Sequence, residues 1–261
     1  MKKPIINVEF ADQGADGKLT SRRRFLKTTG LLVAGSGLFM YSCSKDSLEE
    51  ELLTADAAAD VRAGKAFNLG KGDLAILNYA YVLEQLEAEY YRQVLQGDYY
   101  INQASTEERQ ILQDLYYHEV IHRDFLKIAI SSVAPPGKVA PDLIFDFSSV
   151  DFDDKTTVLT IAQVLEDTGV AAYNGAGNLL ENIDYLLVAG KIVSVEARHA
   201  AAIRDLLDPG STNFASDDVL VDLLGTGQAY DRATDPRDVL AAVAATGFLE
   251  TKIIANNVPT E

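Results

Sequence analysis

Residues 194–207 read "SVEARHAAAIRDLL", an apolar helical stripe interrupted by Glu196 and His199. Ile192, Glu196, His199, Ile203 and Leu206 recur at spacings of three and four, which puts them on one helix face. Ionisable groups on a face that is otherwise core are costly unless something pairs with them. Residues 116–125, "YYHEVIHRDF", repeat the device: Glu119 and His122 stand three apart on a seam with Leu112, Leu115, Leu126 and Ala129. Side chains three apart on a helix are neighbours, so a carboxylate oxygen and an imidazole nitrogen from each pair can reach the same metal ion.

Two further carboxylates complete the pattern. "VLEQLEAEYY" at 82–91 and "VLEDTGVAAY" at 164–173 align on their shared "VLE", which matches Glu84 to Glu166 and Tyr91 to Tyr173. The chain therefore reads as a degenerate internal repeat in which each half carries one carboxylate helix followed by one Glu-x-x-His helix. Four carboxylates facing one another in a core stay ionised only with cations between them. Glu87 lies one turn from Glu84 on the same broad face, and its counterpart in the repeat is Gly169. It is open as a seventh ligand, as an acceptor behind the ligands, or as a replacement for Glu84. Tyr91 and Tyr173 project toward the same seam, where a hydroxyl can orient a carboxylate, serve one-electron chemistry, or simply fill the core. His118 is about 100° round the helix from Glu119 and is expected at the edge of the bundle, away from the site.

Periodicity predicts four long helices, over residues 73–96, 105–132, 154–180 and 185–207. Ser105 followed by Glu108 is a capping box opening the second. Residues 133–154 hold three prolines and no helical period, long enough for a crossover rather than a tight turn. Gly175 and Gly177 are expected to fray or kink the end of the third helix. Residues 211–261 are read as an extension of two short helices, "DPRDVLAAVAA" being the clearer. The fold class is all-α: a ferritin-like four-helix bundle over residues 71–210 with a long crossover between its second and third helices.

The N-terminus is of a different kind. Residues 1–42 include "SRRRFLK" and a short apolar run, which together resemble a twin-arginine export signal, and "MYSC" resembles a lipoprotein cleavage box ending at Cys43. Residues 43–70 read as an acidic tether. These features imply an exported chain, periplasmic or held at the membrane through lipid on Cys43. Cys43 is the only cysteine, so no intramolecular disulfide forms. The net charge is −16, of which the first 42 residues contribute +4, so the body is strongly acidic and a poor partner for nucleic acid or an anionic bilayer.

With these residues in place, the chain resembles the ferritin-like di-metal carboxylate proteins, and more narrowly the exported ferritin-like family that includes desiccation-related proteins. The resemblance implies metal ligation by Glu84, Glu119, His122, Glu166, Glu196 and His199, with Glu119 and Glu196 bridging two ions. Carboxylate oxygens with one nitrogen per ion suit iron or manganese. It further implies oxidoreductase chemistry with dioxygen or peroxide, in the setting of stress protection, and it is compatible with a homo-oligomer. The alternative is a non-catalytic envelope or stress protein whose metals only staple the bundle.

Overall fold

The computed structural model describes residues 65–221 and 230–260. The export signal, Cys43 and most of the tether lie outside the described residues. Among those described, no helix is long and apolar enough to cross a membrane.

Three of the four long helices start on capping side chains that accept the free N–H groups of a first turn, and the first starts without one. After a two-residue strand β1 (Phe67–Asn68), α1 spans Gly72–Val94. A π-helical turn at Tyr99–Gln103 leads into α2 (Thr106–Val133). Here Ser105 Oγ accepts from Glu108 N and the Glu108 carboxylate accepts from Ser105 N, the reciprocal pair expected from the sequence. Asp154 caps α3 (Lys155–Gly177) and Asn182 caps α4 (Ile183–Leu207). α1 packs chiefly on α2 and α3 on α4, and the two hairpins bury their apolar faces against one another around Leu83, Leu86, Leu112, Leu126, Leu165 and Ile203.

The 134–154 crossover is tied down by two buried amides of α1. Asn78 donates to the carbonyls of Leu69 and Lys138 at 3.1 and 2.8 Å and accepts from Ala140 N at 2.9 Å. Gln85 donates to Pro141 O and accepts from Leu143 N. These bonds satisfy the backbone of a segment that has no ladder of its own. Phe147 and Phe152 from the crossover then pack around Tyr90, with ring centroids 5.6 and 5.7 Å away, and close that end of the bundle.

The C-terminal extension differs from the expected helix pair. Among the described residues it holds one α-helix, α5 (Pro236–Thr246), started by Asp235 with Pro236 in its first turn and ended by Gly247 at φ +74°. Before it come a 3₁₀ turn at Asn213–Ala215 and the antiparallel pair β2 (Leu220–Val221) with β3 (Tyr230–Asp231). After it, β4 (Ile253–Ile254) pairs in parallel with β1. Phe67 and Asn68, read from sequence as the end of the tether, are therefore part of the folded body. Strands of two residues carry no periodicity for a sequence to show.

Arg204, only 4% exposed, anchors the extension to the bundle. Its guanidinium donates to both oxygens of Asp167 at 2.9 and 2.6 Å, and also to Asp218, Ser216 Oγ and Asn213 O. The planar fork matches the two carboxylates, as a buried cation requires. Asp218 is held down at about 2 by these hydrogen bonds from Arg204 and Ser216.

Gly175 neither frays nor kinks α3, which runs on to Gly177. Its role is close approach: Thr234 N donates to Ala171 O, and a Cβ on Gly175 would fall 1.9 Å from Thr234 O. Gly175→Ala should therefore push the Tyr230–Thr234 strap off α3 and lower stability by about 1–3 kcal/mol. Gly190 sits within α4 with open space around its Cβ position, so Gly190→Ala should add about 0.5–1 kcal/mol. Thermal unfolding of the two variants measures both signs.

Candidate metal centre

Each of the four bundle helices delivers its site residue at mid-length, where the apolar stripe is most deeply buried. Glu84 on α1, Glu119 on α2, Glu166 on α3 and Glu196 on α4 are all 0% exposed, and His199 is 3% exposed. Their atoms fall into two sets, each able to hold a metal ion, with ligand atoms within 4.8 Å of one another. One comprises Glu84, Glu119, His122 and Glu196, and the other Glu119, Glu166, Glu196 and His199. Glu119 and Glu196 belong to both.

The distances show how tightly the groups converge. His122 Nδ1 lies 2.7 Å from Glu196 Oε1, 3.4 Å from Glu84 Oε2 and 3.8 Å from Glu119 Oε2. His199 Nδ1 lies 2.7 Å from Glu119 Oε1, 3.3 Å from Glu196 Oε2 and 3.5 Å from Glu166 Oε2. Near as they are, these atoms lack hydrogen-bond direction. Both oxygens of Glu119 and Glu196, Glu84 Oε2, Glu166 Oε2 and the two Nδ1 atoms are buried with no hydrogen-bond partner. Buried polar atoms are normally satisfied. A group of oxygens and nitrogens all left open toward a common centre is the arrangement a cation completes, so the residues fit a metal.

The remaining oxygens of the terminal carboxylates are taken. Tyr91 of α1 donates to Glu166 Oε1 of α3 at 2.6 Å, and Tyr173 of α3 donates to Glu84 Oε1 of α1. Each tyrosine of the repeat thus serves the carboxylate of the other half, which requires α1 and α3 to run antiparallel. Burial, and then the neighbouring Glu166 or Glu84 charge, pushes both phenols well above their ordinary range, so they stay protonated and remain donors. Of the readings open for these residues, orientation of a carboxylate is the one the geometry displays.

The electrostatics carry the strain of the crowding. Burial lifts the carboxyls of Glu84, Glu119 and Glu166, and the Glu196 charge lifts them further. Burial acts on Glu196 too, but the two imidazoles beside it prevail and hold it at about 2. Burial opposes charge on His122, yet Glu119, Glu196 and Glu84 pull it up to about 12, and His199 is raised for the same reason by Glu166, Glu119 and Glu196. The carboxylates demand positive charge, and among the described residues the two imidazoles of the sets supply it.

Glu87 is not among the gathered ligands. It is buried, but its carboxyl turns to the space left by Gly169, whose added Cβ would meet Glu87 Oε1 at 2.9 Å. Burial and the four site carboxylates raise it well above the usual range, as expected for a neutral acid standing behind the site. The choice between Glu84 and Glu87 falls to Glu84 because Glu87 is rotated onto α3 rather than toward α2 and α4.

His118, expected away from the site, instead supports it. The residue is at the bundle edge, but its Nδ1 lies 2.9 Å from His199 Nε2 and the rings stack at 5.1 Å. His199 is thereby fixed at one nitrogen while it presents the other to the carboxylates, the usual way a ligating imidazole is oriented. Burial and the neighbouring His199 and His122 lower the His118 pKa, which favours the neutral ring. The sequence offered only angular position, and an imidazole on a flexible stem reaches across that angle.

The comparisons with known proteins agree with this architecture. No curated protein matches the chain. The sequence pattern of the family described as "Ferritin-like domain" matches residues 72–209, from the start of α1 to just beyond the end of α4. That is more than half of the chain and includes all six residues of the two sets, and the chain belongs to the ferritin-like domain family.

Proposed function

We propose that the protein is an exported di-metal carboxylate oxidoreductase, holding two iron or manganese ions and acting with dioxygen or peroxide. The observation that supports it most is the pair of overlapping four-residue sets with their inward atoms unpartnered. In this reading Glu119 and Glu196 are shared between the ions, Glu84 and Glu166 are terminal, and His122 and His199 supply one nitrogen each. Oxygen donors with a single imidazole per ion favour iron or manganese over thiolate-seeking metals. Bound there, such ions supply one-electron steps toward a small oxidant.

The chain's own residues prepare the site for that chemistry. Glu196, held anionic by the two imidazoles beside it, is the acceptor common to the two sets. Both imidazoles must give up their Nδ1 proton to become ligands, so loading the site releases protons. Tyr91 and Tyr173 hold the outer oxygens of Glu166 and Glu84, leaving one oxygen of each free to face inward. His118 keeps His199 in the ligating orientation. Export and lipid on Cys43 are part of the same proposal and are supported by the sequence of residues 1–43, while a role in stress protection rests on the family resemblance.

The complete burial of the four carboxylates favours a second reading, in which the ions are a staple and run no reaction. Metal analysis with turnover measurement separates the two. Two ions per chain with peroxide or dioxygen consumption supports the oxidoreductase, whereas two ions without consumption supports the staple. The double variant Glu119→Ala with His199→Ala should lose the metal, and unchanged metal content in it would overturn the site.

The sign of one substitution should depend on loading. Glu119→Gln puts a neutral amide where burial and Glu196 resist a charged carboxylate, so in chelator-treated protein it should raise stability by about 1–3 kcal/mol. In metal-treated protein the same variant should fall below the wild type, because a shared ligand is gone. Paired thermal melts with and without chelator read both outcomes.

A further inference from the structure

On the side of the metal layer remote from Tyr90, the bundle is hollow. A cavity of about 220 Å³ lies among α1, α2, α3 and α4, with walls made almost wholly of carbon. The space exists because facing positions are small: Ala80, Ala129, Ala172, Ala176 and Ala189 all line it. The opposite end of the same repeat is filled by Tyr90 against Tyr91, Phe147 and Phe152. Interiors pack closely, and a void of this size is destabilising unless something occupies it.

The cavity adjoins the metal centre. Its lining residues Leu83, Leu126 and Ile192 lie within one turn of Glu84, His122 and Glu196. Tyr173 forms part of the wall while its hydroxyl donates to Glu84. The wall also includes the exposed Asp184 at the start of α4 and, on α2 beside Leu126, Phe125, which is 44% exposed, so the cavity reaches the surface between α2 and α4. Ile128 on α2, and Ile183 and Leu187 on α4, stand in the same turns and are all more than half exposed, giving the mouth an apolar rim.

We infer that this cavity binds a compact, uncharged, apolar organic molecule, an alkyl or aryl compound somewhat larger than benzene, seated with one end on the Tyr173 ring. The size follows from comparison with dry apolar cavities of about 150 Å³, which take up benzene. The charge preference follows from the lining: no cationic side chain faces the cavity, and the one ionisable carboxylate, Asp184, repels an anionic head group. The binding itself is independent of metal chemistry. Joined to the proposed oxidoreductase reading, which it then rests on, it narrows the substrate to a neutral apolar compound delivered beside Glu84.

The test uses the full chain, n-butylbenzene as the neutral probe and octanoate as the anionic one. Titration followed by NMR should show saturable n-butylbenzene binding with contacts to the Ala172 and Ala176 methyl groups, and octanoate at least tenfold weaker. The cavity-filling double variant Ala80→Leu with Ala176→Leu should lose the binding while keeping the helical content and metal content of the wild type. Absence of methyl contacts in the wild type, equal affinity for octanoate, or undiminished binding in the filled variant would overturn the inference. If the filled variant does not fold, the methyl contacts in the wild type decide alone. Metal loading keeps the two proposals apart: if the chain binds n-butylbenzene but takes up neither iron nor manganese when these are supplied, the oxidoreductase reading falls and the cavity site stands.

Discussion

Four carboxylates share one buried layer, and their mutual repulsion is the constraint around which the bundle is arranged. Glu84, Glu119, Glu166 and Glu196 are out of contact with water and within reach of one another. Such a layer is tolerable only with positive charge inside it and donors behind it. Two imidazoles provide the first and two phenols the second. The surrounding leucines and alanines decide where the layer sits, but its composition is set by electrostatics. A core of this volume made purely of apolar residues would be easier to fold.

The departures from twofold regularity all lie outside that layer. The crossover starts at one end, where Asn78 holds Lys138 and Ala140, passes Gln85, and brings Phe147 and Phe152 against Tyr90 at the other end. At the end where it starts, alanines take the facing positions of the bundle and space is left. His118 backs His199, while its counterpart in the repeat is Val195, so the two imidazoles are not equivalent either. Glu87 occupies a gap that Gly169 opens, again with no mirror image. The repeat thus supplies the ligands, and its imperfections distinguish one end of the site from the other.

Much of this was legible in the sequence because its cause is local. The Ser105–Glu108 pair acts over three residues, and helical period carries the six residues of the two sets to inward-facing seams. The shared "VLE" predicted matching carboxylates, and the structure brings both into the layer. What escaped depends on partners distant in sequence. Phe67 and Asn68 are strand residues only because Ile253 and Ile254 lie beside them. Gly175 is explained by Thr234 rather than by any tendency of its helix to end. The extension's fixed point, Arg204, is an ion-paired arginine inside α4 that no periodicity distinguishes from a solvated one.

The crossed tyrosines imply something about assembly. Each hairpin owns three members of one set and lacks the fourth: α1 and α2 hold Glu84, Glu119 and His122 but borrow Glu196, while α3 and α4 hold Glu166, Glu196 and His199 but borrow Glu119. The bonds from Tyr91 and Tyr173 likewise join residues 75 and 89 positions apart. Either hairpin alone is an unfinished half, with an orphaned carboxylate and a tyrosine that has nothing to hold. Completion of the centre therefore requires both hairpins together, across the 134–154 connection, and a fragment holding one hairpin contains neither set.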